Sequence, residues 1–179
     1  MLVYGSSALR KIAIRVEKVT PEIEQLEADL LASLLAREDA LALAANQIGE
    51  LHAVIAVNPR TIGVEQDPFV LLNPEVVESQ GEVERSEGCL SLPGISEVLK
   101  RPAKVKVRAH NTKGKPVTVD AEGTLSRALL HEIDHLNGVL FIDHLSGERQ
   151  KMHAEQLRRI EKGEIEVGYP IVTAQNQMV

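Results

Sequence analysis

The stretch from His131 to His135 carries the residue types and spacing best suited to chemistry. It reads His-Glu-Ile-Asp-His, and on a helix two residues four positions apart lie on one face. His131 and His135 can therefore direct two imidazole nitrogens at one metal ion. Glu132 lies beside the first histidine, where its carboxylate can reach water at such an ion. An ordinary helix whose histidines pack or face solvent also fits these five letters, so other residues must decide.

The surrounding residues predict the helix that this pattern needs. Thr124 or Ser126 is suited to cap its start, and Gly138 is suited to end it. Apolar residues recur between them at steps of three and four, namely Leu125, Leu129, Ile133 and Leu136.

A catalytic metal held by two histidines needs a third protein ligand and one open position. Cys89 is the sole cysteine and lies in a turn-like setting beside Gly88. A free cysteine is more often buried and inert, but as a thiolate it can bind a metal. With Cys89 as a ligand, bound water becomes a nucleophile near neutral pH. Glu132 can take its proton and pass it to a leaving amine, so the pattern predicts amide hydrolysis.

Such a reaction also needs donors for the developing oxyanion. Gln47 and the backbone N–H of Leu90 are the candidates. Gln47 ends a small apolar segment, residues 40–47, that permits close approach of another backbone or a ligand. The plain alternative is a buried structural segment with Gln47 at its exposed end.

Composition limits the class of protein. At 179 residues, with 44% hydrophobic and 26% charged, the chain predicts a single soluble domain over residues 1–179. A net charge of −6 argues against a general nucleic-acid binder, and one cysteine excludes an internal disulfide framework. No apolar run suggests a membrane span and no secretory signal is evident, so we expect a cytoplasmic protein. The tail, residues 173–179, is expected to be frayed.

The remaining pattern predicts helices and strands around these segments. Thr20-Pro21 should open a helix that stops near residues 37–39. A charge cluster at residues 82–87 suggests a solvent-facing turn, and residues 146–166 should be partly helical. Asn73-Pro74 should end one of the predicted strands. Those strands cover residues 13–16, 52–57, 69–72, 76–83, 104–109 and 117–119, the last two forming a hairpin.

Three motifs, in order, resemble the signature of the peptide deformylase family. Residues 40–47 are similar to Gly-x-Gly-x-Ala-Ala-x-Gln, and residues 87–91 match Glu-Gly-Cys-x-Ser. Residues 131–135 match the family's histidine motif, with Asp134 also family-like. Arg101-Pro102 is another family-like pair. The resemblance spans roughly residues 3–160, and three ordered motifs make it far more specific than the histidine pattern alone.

The resemblance implies an α+β fold with antiparallel sheets packed around a central metal-binding helix. It implies removal of the N-formyl group from the N-terminal methionine of newly synthesised proteins. One divalent ion is implied, with Fe(II) as the physiological metal and Zn, Ni or Co as alternatives. The implied substrates are N-formylmethionyl nascent peptides, met near the ribosomal exit tunnel, with no membrane and no sequence-specific nucleic acid involved.

The same resemblance assigns roles residue by residue. Glu132 would be the general acid and base, while Gln47 and Leu90 would polarise the formyl oxygen. The implied metal ligands are Cys89, His131 and His135. The expected walls of the methionine pocket are Leu41, Ala42, Leu129 and Leu130.

Two departures from the family pattern stand out. Ala40 and Ala42 replace the usual glycines, and each added methyl restricts positive φ and can alter substrate fit. Leu130 stands before His131, where Gln or Cys is common. We expect these changes to affect efficiency and peptide preference more than reaction type.

Two other readings compete with this one. A zincin-type peptidase would use the same helix with His144 or Glu148 as third ligand, but the spacing is unusual and Cys89 is left unexplained. The second is a deformylase-like protein with weak or altered peptide specificity. Such a protein could also keep the metal as a structural clip, or bind ribosomes without turnover. Intact Glu132 and Gln47 argue against a purely structural site.

Overall fold

The computed structural model describes residues 1–174, and residues 175–179 lie outside the described part of the chain. The helices predicted from Pro21 and around His131 are both present. Within residues 1–174 the α-helices are α1 (Pro21–Leu35), α2 (Gly123–Leu136), α3 (Gly147–Met152) and α4 (Ala154–Glu161). No helix in this range is long and apolar enough to span a membrane.

Two antiparallel sheets accompany these helices, and the expected α+β class is confirmed. The larger sheet has the strand order β1-β2-β3-β6-β7, and the smaller pairs β4 with β5. The predicted hairpin is β6 with β7, in which Val107 lies opposite Val119. The strands are β1 (Ala42–Ala44), β2 (Val54–Val57), β3 (Phe69–Gln80), β4 (Val83–Gly88), β5 (Ser96–Arg101), β6 (Lys104–His110) and β7 (Pro116–Glu122).

Strand β2 explains why the two long helices cover opposite faces of the sheet. All four of its residues are buried, and successive side chains point to opposite faces. Val54 belongs to the core formed with α1, whereas Ile55 belongs to the core that includes Leu129 of α2. The buried stripe of α1 is the predicted one: Ile23, Leu26, Leu30 and Leu34. Helix α2 is therefore enclosed by the fold, which fixes the histidines that it carries.

The prediction that Asn73-Pro74 ends a strand is wrong, because β3 continues through both residues. Asn73 adopts φ 52°, the left-handed region that asparagine tolerates better than most residues. Its side chain accepts from the Val16 N–H and donates to the Val16 carbonyl, both at 2.8 Å. The register shifts between Leu72 and Glu75, so an irregularity absorbs the Asn-Pro pair within one long strand.

The smaller sheet was not expected from the sequence. The predicted turn at residues 82–87 is strand β4, and its partner β5 had no predicted strand. Most residues of β4 are exposed and polar or charged, such as Glu84 and Arg85, which is why they resemble a solvent-facing turn. Glu87 is the exception, since it is buried together with Arg101 of β5. This hairpin places Glu87 and the following Cys89 against α2.

The start of α2 also differs from the prediction. The helix begins at Gly123, and neither Thr124 nor Ser126 caps it, because the N-cap position is Glu122. Ser126 lies within the helix and donates its hydroxyl to the Pro102 carbonyl at 3.0 Å. A tertiary contact with the turn before β6 thus holds this end of the helix.

The first residues of the chain lie beside the last part of the described chain. Residues 13–16, predicted as a strand, make only an isolated bridge between Ile14 and His52. The predicted partial helix over residues 146–166 is present as α3 and α4. Val172 bridges Leu2, and Thr173 is buried, so the expected fraying is wrong at the start of the tail; residues 175–179 lie outside the described residues.

Candidate metal centre

Helix α2 and the turn after β4 bring three donors together. His131 and His135 lie on one face of α2, as the spacing predicted, and both are buried. Cys89 follows β4 directly, and its Sγ lies 3.1 Å from His135 Nε2. The donor atoms of the three residues lie within 4.8 Å of one another. Among residues 1–174 no other group of three such side chains is arranged to hold a metal ion. A thiolate with two imidazoles is a donor set that suits a divalent transition metal.

A buried carboxylate orients the first histidine. Glu87 Oε1 lies 2.8 Å from His131 Nδ1. Burial opposes the charge of Glu87, but hydrogen bonds from His131 and Arg101 outweigh it, so the pKa of Glu87 lies well below its usual range. An ionised carboxylate only accepts, so His131 Nδ1 must carry the proton. In the neutral form of the ring, Nε2 then has no proton and can bind a metal.

Two arginines hold Glu87 in turn. Arg101 Nη2 donates to Oε1 at 2.7 Å and its Nε donates to Oε2 at 3.1 Å. Arg127, one turn before His131 on α2, donates from Nη1 to Oε2 at 2.8 Å. Arg127 also donates to the carbonyls of Val83 and Leu99. This group of Glu87, Arg101, Arg127 and His131, here called the Glu87 network, is buried and ties both strands of the hairpin to α2.

The second histidine is suited to act as a neutral ligand. Burial, with a smaller contribution from nearby His131, lowers the pKa of His135 well below its ordinary value. Asn46 Nδ2 donates to the backbone carbonyl of His135 at 2.5 Å, and this bond links α2 to the turn that follows β1. Neutral imidazole is the form that binds metal.

Glu132 is a buried carboxyl beside the donors. Its Oε2 is enclosed and has no hydrogen-bond partner among the described residues. Burial raises the pKa of Glu132 to about 7, with partial opposition from the charge of His131. A carboxyl tuned in this way can both accept and release a proton near neutral pH. Its unpartnered oxygen also fits a site that takes up a further polar group.

Gln47 is buried, so the alternative that placed it at an exposed end is wrong. Its Oε1 accepts from the Ala44 N–H at 2.9 Å. Its Nε2 donates to Ser91 Oγ at 3.2 Å and lies 3.7 Å from Cys89 Sγ. The amide is thus held with its N–H group beside the donor sulfur.

A cavity of 660 Å³ opens onto these residues, within the usual range for small-molecule sites. Glu132, His131 and Cys89 lie at one part of its lining, with Gln47 and Leu90 nearby. Leu41 and Ala42, two of the expected wall residues, also line it. Helix α2 also contributes Thr124, Arg127 and Ala128 to the lining.

Leu129 and Leu130 require a correction, since neither lines the cavity. Leu129 is fully buried in the core between α2 and the sheet, and Leu130 packs against the same core. The cavity face of α2 repeats at steps of three and four through Thr124, Ala128 and His131. Residues one and two positions before His131 point elsewhere on the helix.

Ala40 and Ala42 fit the backbone without strain. Among the non-glycine residues of the described chain, only Asn73 has a positive φ. Ala42 pairs with Val57 in the ladder between β1 and β2, as an ordinary strand residue. Any effect of the extra methyl groups must therefore come from the space that they occupy.

The zincin-type alternative is not supported by the geometry. His144 Nε2 lies 2.8 Å from Asp134 Oδ2 and 3.2 Å from Arg101 Nη1, so it belongs to the edge of the Glu87 network. Neither His144 nor Glu148 joins the three-donor group, whereas Cys89 does.

Sequence reasoning missed several residues of the site. Arg101 carried a signal, since Arg101-Pro102 was family-like, but the pattern gave it no role. Arg127, Arg37 and Tyr169 carried none, although all three line the cavity or its edge. Their partners lie far along the chain, so only the fold reveals them.

The fold and the donor set are those of a metal-dependent hydrolase with an α+β architecture. The family model described as polypeptide deformylase matches residues 1–151, so the chain belongs to that family. A peptide deformylase from Lachnoclostridium phytofermentans is 40% identical over 146 residues, covering 82% of this chain and 88% of the relative. One from Clostridium botulinum is 44% identical over 140 residues, covering 78% and 91%. The crystal structure of a peptide deformylase from Legionella pneumophila superposes with a TM-score of 0.82 at 36% identity, covering 91% of this chain and 95% of that one.

Proposed function

We propose that this protein removes the N-formyl group from the N-terminal methionine of newly synthesised proteins. One observation carries the proposal: Cys89, His131 and His135 converge beside Glu132, at an open cavity, in a chain of the polypeptide deformylase family. The substrates would be N-formylmethionyl nascent peptides in the cytoplasm, met near the ribosomal exit tunnel. That last part rests on family membership.

The metal in this proposal is one divalent ion, with Fe(II) as the physiological species and Zn, Ni or Co as alternatives. When bound, such an ion supplies a Lewis acid that activates water and polarises a carbonyl. Cys89, His131 and His135 would hold it, with Glu87 fixing the His131 ring. An iron-loaded preparation should lose activity in air through oxidation of the metal or of the Cys89 thiolate, whereas a nickel-loaded one should persist.

Glu132 would move the proton. Its buried carboxyl takes a proton from the attacking water and delivers it to the departing amine, and a pKa near 7 supports both steps. The formyl oxygen would receive hydrogen bonds from Gln47 Nε2 and the Leu90 N–H. The Leu90 N–H has no partner among the described residues, so it is available for this role.

The methionine side chain would lie against lining residues from two elements: Leu41 and Ala42 near β1, and Thr124 and Ala128 on α2. Leu129 and Leu130 are not part of this pocket. Arg127 also lines the cavity, and its guanidinium is paired with Glu87, so its aliphatic stem is the part left for apolar contact.

The test compares formyl-Met-Ala-Ser with acetyl-Met-Ala-Ser, using metal-loaded protein and a formate or acetate readout. The expected result is release of formate from the first peptide and no release of acetate from the second. Equal hydrolysis of both would contradict the assignment. Hydrolysis of neither, with metal bound, would favour the alternative of a deformylase-like protein without turnover.

A further inference from the structure

The segment after α4 returns to the cavity from outside the stretch that defines the family. The family match ends at residue 151, whereas Val167, Gly168 and Tyr169 line the cavity. This segment is anchored to the N-terminal residues. Val172 donates to the Met1 carbonyl at 2.8 Å and accepts from the Val3 N–H at 3.3 Å. The segment after α4 is thus held in place and forms a fixed part of the cavity wall.

Tyr169 joins two sides of the cavity. Its hydroxyl donates to the Leu90 carbonyl at 2.7 Å. From the other side, the Arg37 guanidinium lies over the ring, 4.4 Å from its centroid. Arg37 is held by Asp39, to which its Nη2 donates at 2.9 Å. These three residues, Arg37, Asp39 and Tyr169, are called the Tyr169 clasp below.

The clasp lies close to the end of the cavity that contains Cys89. Leu90, which accepts from Tyr169, directly follows Cys89, and Asp39 directly precedes the segment of Ala40 and Ala42. One residue of extended chain spans about 3.3–3.6 Å. A peptide whose formyl group lies at Cys89 therefore reaches the clasp within its next two or three residues. The Tyr169 ring is half-buried, so part of it remains available to a bound peptide.

We propose that the Tyr169 clasp is a specificity-determining wall that binds the second and third residues of the peptide substrate. The inference rests on the proposed deformylation, and it gives a role to Tyr169, which lies beyond the family-matched residues. A ring held between a carbonyl and a guanidinium loses little further freedom when a peptide packs on it, and such preorganisation favours affinity. The clasp should therefore lower KM for peptides and matter less for a substrate that ends at methionine.

The experiment measures kcat and KM for two substrates, formyl-Met-Ala-Ser and N-formylmethioninamide. The quantity of interest is the ratio of kcat/KM for the peptide to kcat/KM for the amide. In Tyr169→Ala this ratio should fall about tenfold through a higher peptide KM, which corresponds to about 1.4 kcal/mol. Tyr169→Phe keeps the ring and should keep the ratio within about twofold. Arg37→Met, which loses the cation over the ring, should lie between them.

Arg60→Met provides the matched control. Arg60 is also an arginine paired with a nearby aspartate, Asp67, but it is exposed and does not line the cavity. Its ratio should equal that of the wild type. Thermal unfolding of every variant identifies any change that comes from misfolding, and Arg37→Met tests the clasp independently if Tyr169→Ala does not fold.

Three results would overturn the inference. An unchanged ratio in both Tyr169→Ala and Arg37→Met would mean that the clasp does not contribute to peptide binding. An equal fall in Tyr169→Phe would show that the bond to Leu90, not the ring surface, is responsible. A lower peptide KM in Tyr169→Ala would show that the clasp obstructs peptides. In each case the wild type still releases formate, so the proposed function survives; a wild type inactive on both substrates would overturn both proposals.

Discussion

Two parts of the cavity wall are stabilised by different interactions. We call them the deep side, held by the Glu87 network, and the mouth, formed by the Tyr169 clasp and Ala42. On the deep side, the Glu87 network joins buried charges, and Arg101 and Glu87 have side chains only 6% and 4% exposed. At the mouth, the Tyr169 clasp uses one neutral hydrogen bond, one cation over a half-buried ring, and an ion pair between Arg37 and the exposed Asp39. Removing one partner of a buried pair leaves an uncompensated charge, whereas water can replace a partner at the mouth. The deep side therefore tolerates little change, while the mouth can vary.

Cys89→Ala should have the largest effect. Without the thiolate, two imidazoles remain, and metal binding should be lost or greatly weakened together with activity. Metal content per chain after dialysis, measured beside formate release, checks this expectation. Full retention of metal and turnover would mean that the assigned centre is wrong.

Glu87→Gln should be the most destabilising change on the deep side. It keeps the shape of the side chain but leaves Arg127 buried without a countercharge, at a cost of about 3–5 kcal/mol. Urea unfolding of the metal-free protein gives the change in the free energy of unfolding. Glu84→Gln, on the same strand but exposed and 3.7 Å from Lys100, is the matched control and should cost less than about 0.5 kcal/mol. Similar values for the two would contradict the contrast between buried and exposed pairs.

Arg127→Met should cost less than Glu87→Gln. Glu87 keeps Arg101 and His131, and the methionine stem keeps most of the packing. The carbonyls of Val83 and Leu99 lose a donor, so we expect a loss of about 1–3 kcal/mol in the free energy of unfolding. A loss as large as that of Glu87→Gln would show that Arg127, not Arg101, is the main partner of the carboxylate.

Ala42→Gly should have the smallest effect and tests the mouth. The methyl group lines the cavity without backbone strain, so its removal should widen the groove. KM for formyl-Met tripeptides should fall, on the order of twofold to fivefold, with less change in kcat. An unchanged or higher KM would mean that the peptide fits comfortably beside alanine and that the usual glycine is dispensable here.

The same contrast explains how much the sequence could predict. His131, Glu132 and His135 follow from helical spacing, and Cys89 follows from the need for a third ligand. The Glu87 network could not be predicted, because Arg101 and Arg127 come from separate elements and pairing depends on the fold. Helical geometry also explains the error over Leu129 and Leu130, which are near His131 in sequence but on another face.

The errors in the predicted strands have a related origin. Strands β4 and β5 were missed because their exposed, polar side chains resemble a turn. The pairing is visible only in the structure, where Glu87, Leu99 and Arg101 are buried. Strand β3 passes through Asn73-Pro74 because Val16, 57 residues away, satisfies both polar atoms of the asparagine amide. Tyr169 lies beyond every recognised motif, so the mouth of the cavity was the least predictable part of the site.

Glu132→Gln is the decisive variant, because it separates the binding of a metal from the transfer of a proton. The variant keeps the three donors and the shape of the side chain but cannot accept a proton. We expect wild-type metal content and a kcat for formyl-Met-Ala-Ser lower by a factor on the order of 10²–10⁴. A fully metal-loaded variant with near wild-type kcat would contradict this expectation, because another group would then move the proton.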